Sequence, residues 1–145
     1  MGKDGIRNKS VMVVDDEVIV RIAIADELRD DGYTVVEARD GCEAISLLDS
    51  GIAIDVILSD VNMPGRLSGL QLAEQVAKRV DHVPVVLTSG SHDAGQEASR
   101  LGIPFVRKPY LTSEIVAALE LALQGAVGLE DGRRKGNGNS HGGGR

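Results

Sequence analysis

Aromatic side chains are scarce in this sequence: one Phe, two Tyr and no Trp among 145 residues. Any core must therefore be assembled from Val, Ile, Leu and Ala. Cysteine is limited to Cys42, which excludes an internal disulfide framework and fits a reducing compartment. No apolar run approaches the ~18 residues of a membrane span, so no membrane association is expected. The opening segment, MGKDGIRNKS, is polar throughout and unlike a signal peptide. Ile6 stands where a myristoylation motif requires Ser or Thr. Basic charge is also in deficit. The 16 Lys and Arg face 22 Asp and Glu, for a net charge of −6. That balance argues against a nucleic-acid backbone as the main partner, and no DNA binding is expected. These absences together predict a cytoplasmic protein.

What is present falls into three segments. Residues 1–9 read as a flexible N-terminal segment, residues 10–124 as a single domain, and residues 125–145 as a disordered tail. The tail, GAVGLEDGRRKGNGNSHGGGR, holds 8 of the 18 glycines and no aromatic. Such a composition buries too little surface to offset its ordering entropy. Its basic cluster, Arg133, Arg134 and Lys135, reads as solvated charge. Setting the tail aside leaves 12 basic and 20 acidic residues, a balance of −8.

Within the domain, short apolar runs alternate with segments of helical period. SVMVV (10–14) predicts a strand and residues 18–31 a helix, with Val18, Ile22, Ala25 and Leu28 on one face and Gly32 as its stop. YTVVEA (33–38) predicts a second strand. Asp40 and Glu43 have the spacing of a capping box for a helix ending near Gly51. IDVILSD (54–60) predicts a third strand. Ser68 and Gln71 cap a helix whose inner face is Leu72, Ala73, Val76 and Val80. PVVLTS (84–89), a weak helix over 93–101 and PFVRK (104–108) follow. Thr112 is placed to cap a last helix through Leu123, with Leu111 and Val116 as a hydrophobic staple. Continuous apolar strands separated by single helices imply a (βα)5, doubly wound, parallel five-stranded sheet. For five strands the common order is 2-1-3-4-5, in which strands 1 and 3 are neighbours and ligands bind at their carboxyl ends.

That topology gathers five reactive residues on one sheet edge: Asp15 and Asp16 after strand 1, Asp60 ending strand 3, Thr88 ending strand 4 and Lys108 ending strand 5. Clustered carboxylates raise one another's pKa unless a cation compensates. An oxygen-only donor set suits a hard ion, and Mg2+ fits best because it needs few carboxylates and keeps several waters. Lys108 makes sense in such a site if an anion visits it. A phosphoryl group could give one oxygen to the ion, one to Lys108 and one to Thr88. Asp60 stands on the middle strand as the candidate nucleophile.

VVDDE (13–17), DVNMPG (60–65), LTSG (87–90) and VRKPY (106–110) resemble, in order and at strand ends, the motifs of two-component response-regulator receiver domains. The resemblance covers residues 10–124 and implies a flavodoxin-like receiver fold. It implies Asp60 as phosphoacceptor, Asp16 as a direct Mg2+ ligand, Asp15 as a ligand through water, and the backbone carbonyl of Asn62 as a further ligand. It makes Thr88 and Lys108 the phosphoryl-sensing hydroxyl and ammonium, and Thr88 and Phe105 the switch pair. Pro109 matches the family's cis Lys-Pro bond, which would aim Lys108 into the site.

The implied function is a single-domain, non-enzymatic response regulator, similar to chemotaxis regulators. It would be phosphorylated by a sensor histidine kinase or a histidine phosphotransfer protein. It would act through a downstream protein target or onward phosphotransfer, as a monomer or weak dimer. The alternative is a haloacid-dehalogenase-type Mg2+-dependent phosphatase, which also forms an aspartyl phosphate. That family carries D-x-D on strand 1, whereas Asp15 and Glu17 give D-x-E. Two departures from the receiver pattern stand out. The loop after Pro64 is longer than the compact form, and residues 89–104 are glycine-rich, predicting a short or mobile fourth helix. Glu17 reads as first-turn dipole chemistry, Cys42 as inert packing, and His82 and His92 as surface residues. Met63 and Pro64 read as turn formers beside the site.

Overall fold

The computed structural model describes residues 9–125. The expected segments at 1–8 and 126–145 lie outside the described residues. The elements run β1 (Ser10–Val14), α1 (Val18–Asp30), β2 (Thr34–Ala38), α2 (Gly41–Asp49), β3 (Val56–Asp60), α3 (Gly69–Ala77), β4 (Val85–Ser89), α4 (His92–Arg100) and β5 (Phe105–Arg107). A fifth helix, α5, follows over 112–125. The five strands form one parallel sheet in the order β2-β1-β3-β4-β5, as the alternation of apolar runs and helices predicted.

Strand alternation divides the core into two layers. Val11 and Val13 of β1, Val56 and Leu58 of β3 and Val86 of β4 meet Ala25 and Leu28 of α1 and Ile115 and Leu119 of α5. Met12, Ile57 and Leu87 face the other way and meet Ala44 of α2, Leu72 and Val76 of α3 and Ala98 of α4. Every residue of β3 and β4 is buried, so each strand opens on an unbroken apolar run, Val56–Leu58 and Val85–Leu87, and ends on two buried polar residues.

Several expected contacts fall elsewhere. Val18 and Ile22 are exposed, and the buried face of α1 is Ile24, Ala25 and Leu28. Ile22 is rotated off this face, and its neighbour Arg21 is the residue of that turn that reaches the sheet, bonding the Asp15 carbonyl and Glu37. Val80 is 95% exposed because α3 stops at Ala77, before it could continue the inner face. Leu111 is 68% exposed and forms no buried staple. Thr112 lies inside the first turn of α5, not at its cap. Its hydroxyl bonds the Glu27 carboxylate, while the Glu114 side chain accepts from the Leu111 N–H. Cys42 is exposed, not packed.

The start of α3 is built as predicted. Ser68 accepts from the Gln71 N–H and the Gln71 side chain accepts from the Ser68 N–H. Two otherwise orphaned donors are thereby satisfied. Ser68→Ala is expected to cost about 1 kcal/mol, read as a lowered urea midpoint with an unchanged slope. An unchanged midpoint would mean that neighbouring packing alone fixes this helix start.

Candidate functional site

β1, β3, β4 and β5 end on the same edge of the sheet, and the reactive side chains emerge there. Asp15 follows β1 and is buried; its carboxylate Oδ1 accepts from the Glu17 N–H at 2.9 Å. Asp15 N–H donates to the Ala38 carbonyl at 3.1 Å, and its own carbonyl accepts from Arg21 Nη1 at 2.7 Å. Backbone and carboxylate are thus held from three sides. Asp60 ends β3 and is also buried, with Oδ1 accepting from the Asn62 N–H at 3.4 Å. One carboxylate oxygen from each of Asp15, Asp16 and Asp60 falls within 4.8 Å of the others. The structure therefore brings the three predicted acids together.

Lys108 enters from one residue beyond β5. Its Nζ lies 3.4 Å from Asp60 Oδ2 and 4.0 Å from Asp15 Oδ2. The Lys108–Pro109 peptide bond is cis. Thr88 is the register partner of Asp60 on the next strand, and its carbonyl accepts from the Val61 N–H at 2.9 Å. Thr88 is almost fully buried.

Burial pushes the Asp15 carboxyl above its usual range. The Glu17 N–H opposes the shift, the Asp60 charge adds to it, and Lys108 pulls it back. Asp60 is likewise raised, chiefly by burial, with Lys108 the strongest opposing influence. The Tyr110 hydroxyl is raised by burial and then by the charges of Asp15 and Asp60. One ammonium thus offsets only part of the negative charge.

The donor chemistry fits magnesium. Three carboxylates converge, all donors are hard oxygens, and among the described residues no His or Cys joins the cluster. Glu17 is outside this group and is the N-cap of α1, with no capping hydrogen bond from its side chain. His82 and His92 are exposed, as expected.

Phe105 packs differently from Thr88. Phe105 is the register partner of Leu87 and lies on the face covered by α2, α3 and α4. Val106, not Phe105, pairs with Thr88 and packs on the opposite face. A Cβ placed on Gly95 of α4 would stand 2.9 Å from the Phe105 ring, so the ring rests on bare helix backbone. The fourth helix is nine residues long and is capped by Ser91.

Three contributors were not singled out from the sequence. Gly69 opens α3 directly behind Asp60, where a Cβ would stand 2.3 Å from the Asp60 carbonyl oxygen. Arg21 holds the Asp15 carbonyl and pairs with Glu37 at 3.1 Å. Ser89, buried at the end of β4, accepts from Asn62 Nδ2 at 3.0 Å. The glycine carried a usable signal, a Gly after a Ser cap where a helix former would serve better. The other two make contacts with no capping or periodic signature, Ser89 with Asn62 27 residues away and Arg21 with Asp15 only 6 away.

Comparison with known proteins follows the geometry. The family model for the response regulator receiver domain matches residues 11–120. The transcriptional regulatory protein PdtaR of Mycobacterium tuberculosis is 33% identical over 118 residues, covering 79% of this chain and 57% of that protein. FixJ of Azorhizobium caulinodans is 34% identical over 130 residues, covering 86% and 59%. The chain thus spans little more than half the length of these relatives. Among solved structures, the chemotaxis protein CheY4 of Vibrio cholerae superposes with a TM-score of 0.71 at 29% identity, covering 80% of this chain and 99% of that one. The response regulator TrrA of Thermotoga maritima, in complex with Mg2+ and BeF, gives a TM-score of 0.71 at 28% identity, covering 79% and 99%. The haloacid-dehalogenase alternative finds no support in these matches or in the strand position of the acids. Sheet order, acidic cluster and sequence all agree: the chain belongs to the response regulator receiver domains of two-component systems.

Proposed function

We propose that this domain accepts a phosphoryl group on Asp60 from a histidine kinase or histidine phosphotransfer protein and passes the signal on by protein contacts or onward phosphotransfer. The observation that carries this is the setting of the Asp60 carboxylate: on the middle strand, against two further acids, with Lys108 Nζ 3.4 Å away. The complex of TrrA with Mg2+ and BeF, a phosphoryl mimic, supports the reading by likeness of fold and sequence.

In this reading Asp60 supplies a carboxylate oxygen to phosphorus. The bond from phosphorus to the donor imidazole nitrogen breaks, and that nitrogen keeps the electron pair. Lys108 steadies the Asp60 carboxylate in its charged, nucleophilic form despite burial. It then lies within reach of a phosphoryl oxygen. Asp16 and Asp60, with Asp15 through water and the Asn62 carbonyl, would hold Mg2+, which would supply positive charge to the phosphoryl oxygens and relieve carboxylate repulsion. Thr88, beside Asp60 in register, is the hydroxyl that senses the product. Phe105 completes the switch. Because its ring lies on the α4 side, a movement of Thr88 reaches it through the β4–β5 backbone. The surface formed by α4, β5 and α5 is then where a downstream protein reads the state.

Exposure to acetyl phosphate with Mg2+ tests the assignment. Intact mass is expected to rise by one phosphoryl group in the wild type and not in Asp60→Asn. Equal labelling of both proteins would remove Asp60 from the role.

A further inference from the structure

We infer that Ser89 is a positioning residue for this site: its buried hydroxyl clamps the Asn62 side chain and so fixes the loop backbone beside Asp60. The inference rests on the magnesium and phosphoryl reading above. Ser89 is the last residue of β4 and only 1% exposed. A buried hydroxyl costs free energy unless it is hydrogen-bonded. Two donors converge on Ser89 Oγ: Asn62 Nδ2 at 3.0 Å and the Ser91 N–H at 2.9 Å. The second donor comes from the N-cap of α4, whose own hydroxyl accepts from the Ala94 N–H. The oxygen that receives Asn62 is therefore itself anchored to a helix start.

Asn62 is the other end of the clamp. Its backbone N–H donates to Asp60 Oδ1 at 3.4 Å, a long hydrogen bond. Val61, next to it, is held by its N–H on the Thr88 carbonyl and its carbonyl under the Gly69 N–H, both at 2.9 Å; at Asn62 itself the long bond to Asp60 is supplemented by the side-chain amide. That amide spans 27 residues of sequence, from the loop after β3 to the end of β4. The Ser89 carbonyl also accepts from the Lys108 N–H at 3.0 Å, a backbone bond that Ser89→Ala keeps, so what the hydroxyl adds runs through Asn62 and Ser91. The same chain of hydrogen bonds continues from Asp60 through Asn62, Ser89 and Ser91 to Ala94 of α4. It gives α4 a polar connection to the acceptor, separate from Thr88 and Phe105.

Partners of ligand-bearing groups commonly tune metal affinity by one to two orders of magnitude. Acting through a loop backbone, Ser89 should have the lower part of that effect. In Ser89→Ala the magnesium Kd, measured by calorimetric titration of the full chain with MgCl2, is expected to rise about threefold to tenfold. The same substitution made in an Asn62→Ala background is expected to change Kd by less than about twofold, because the clamp is already open. A simple packing role would lower the melting temperature equally in both backgrounds and leave Kd alone. Backbone amide NMR shifts of the metal-free proteins give a second readout. They should move at Asn62 and at residues 91–94 in Ser89→Ala. An unchanged Kd in Ser89→Ala, or an equal rise in both backgrounds, overturns the inference while leaving the magnesium site standing. If the wild type binds no magnesium at all, the reading of the site falls first and the role of Ser89 with it.

Discussion

Gly69→Ala is expected to destabilise the domain by about 3 kcal/mol, the upper part of the range for overpacking. Helix propensity alone predicts the opposite sign, since Ala inside a helix is better than Gly by about 0.5–1 kcal/mol. Close approach decides the matter. A Cβ at Gly69 would stand 2.3 Å from the Asp60 carbonyl oxygen and 2.8 Å from the Val61 Cα. Both are backbone atoms, so no side-chain rotation relieves the contact. Neither partner can retreat cheaply. Asp60 of β3 is paired with Thr88 of β4, and the Gly69 N–H is itself bonded to the Val61 carbonyl at 2.9 Å. The helix start would have to lift, loosening Leu72 and Val76 from the core. Gly51 is the informative control. Its φ of +88° also favours glycine, but its Cβ would meet nothing within 4 Å. Gly51→Ala should therefore cost only about 1–2 kcal/mol, the left-handed backbone penalty. Urea unfolding of both variants gives the comparison. If Gly69→Ala loses less than Gly51→Ala, the close approach is not what selects glycine here. Under the proposed function, Gly69→Ala should also impair phosphoryl acceptance, because the displaced backbone carries Asp60.

Sheet order and the acidic cluster were legible in the sequence for a physical reason. Parallel strands buried on both faces must be unbroken apolar runs, and SVMVV, VILSD and VVLTS stand out against the amphipathic segments between them. Polar residues at the ends of such runs then have only one place to go, the carboxyl edge. One error arose where an element's length, not its type, decided the contact. Val80 fits the helical period of α3 but lies past its last residue. At α1 the error is one of rotation: Val18 and Ile22 have helical spacing, yet the buried face is Ile24, Ala25 and Leu28. Local capping rules succeeded for Ser68 and Asp40, whose partners lie three residues away. The rule failed for Thr112, whose hydroxyl finds Glu27, 85 residues distant. The Ser89–Asn62 and Arg21–Asp15 contacts were illegible because Ser and Arg at these positions have no periodic or capping signature. Phe105 shows a subtler limit. Its place three residues before Lys108 is a matter of sequence, but the face it occupies follows from register with Leu87.

Lys108→Met is expected to lower stability at neutral pH by about 2 kcal/mol when no divalent cation is present. Removing one partner of a fully buried ion pair costs about 3–5 kcal/mol. Here the Lys108 side chain is 25% exposed, so solvent screening reduces the figure. The carboxylates left behind are both buried, with side chains only 7% exposed, and each would lose its nearest positive charge. Met retains most of the lysine stem, so the loss reports charge more than packing. The pH dependence gives the sign. Asp15 and Asp60 already have folded-state pKa values above the ordinary carboxyl range. Their protons are therefore held more tightly in the folded state than in the unfolded chain. Stability from these groups is fully present below the unfolded value of about 4 and is lost as pH rises through the folded values. Removing Lys108 raises those folded values further and widens the window upward. Wild type and Lys108→Met should thus converge near pH 4 and diverge toward pH 7. Addition of MgCl2 at pH 7 should recover part of the difference, because a bound cation would occupy the same charge well. Melting temperatures across this pH range, with and without MgCl2, provide the measurement. A loss that is constant with pH would show that Lys108 acts through packing, and that repulsion between Asp15 and Asp60 is not what it restrains.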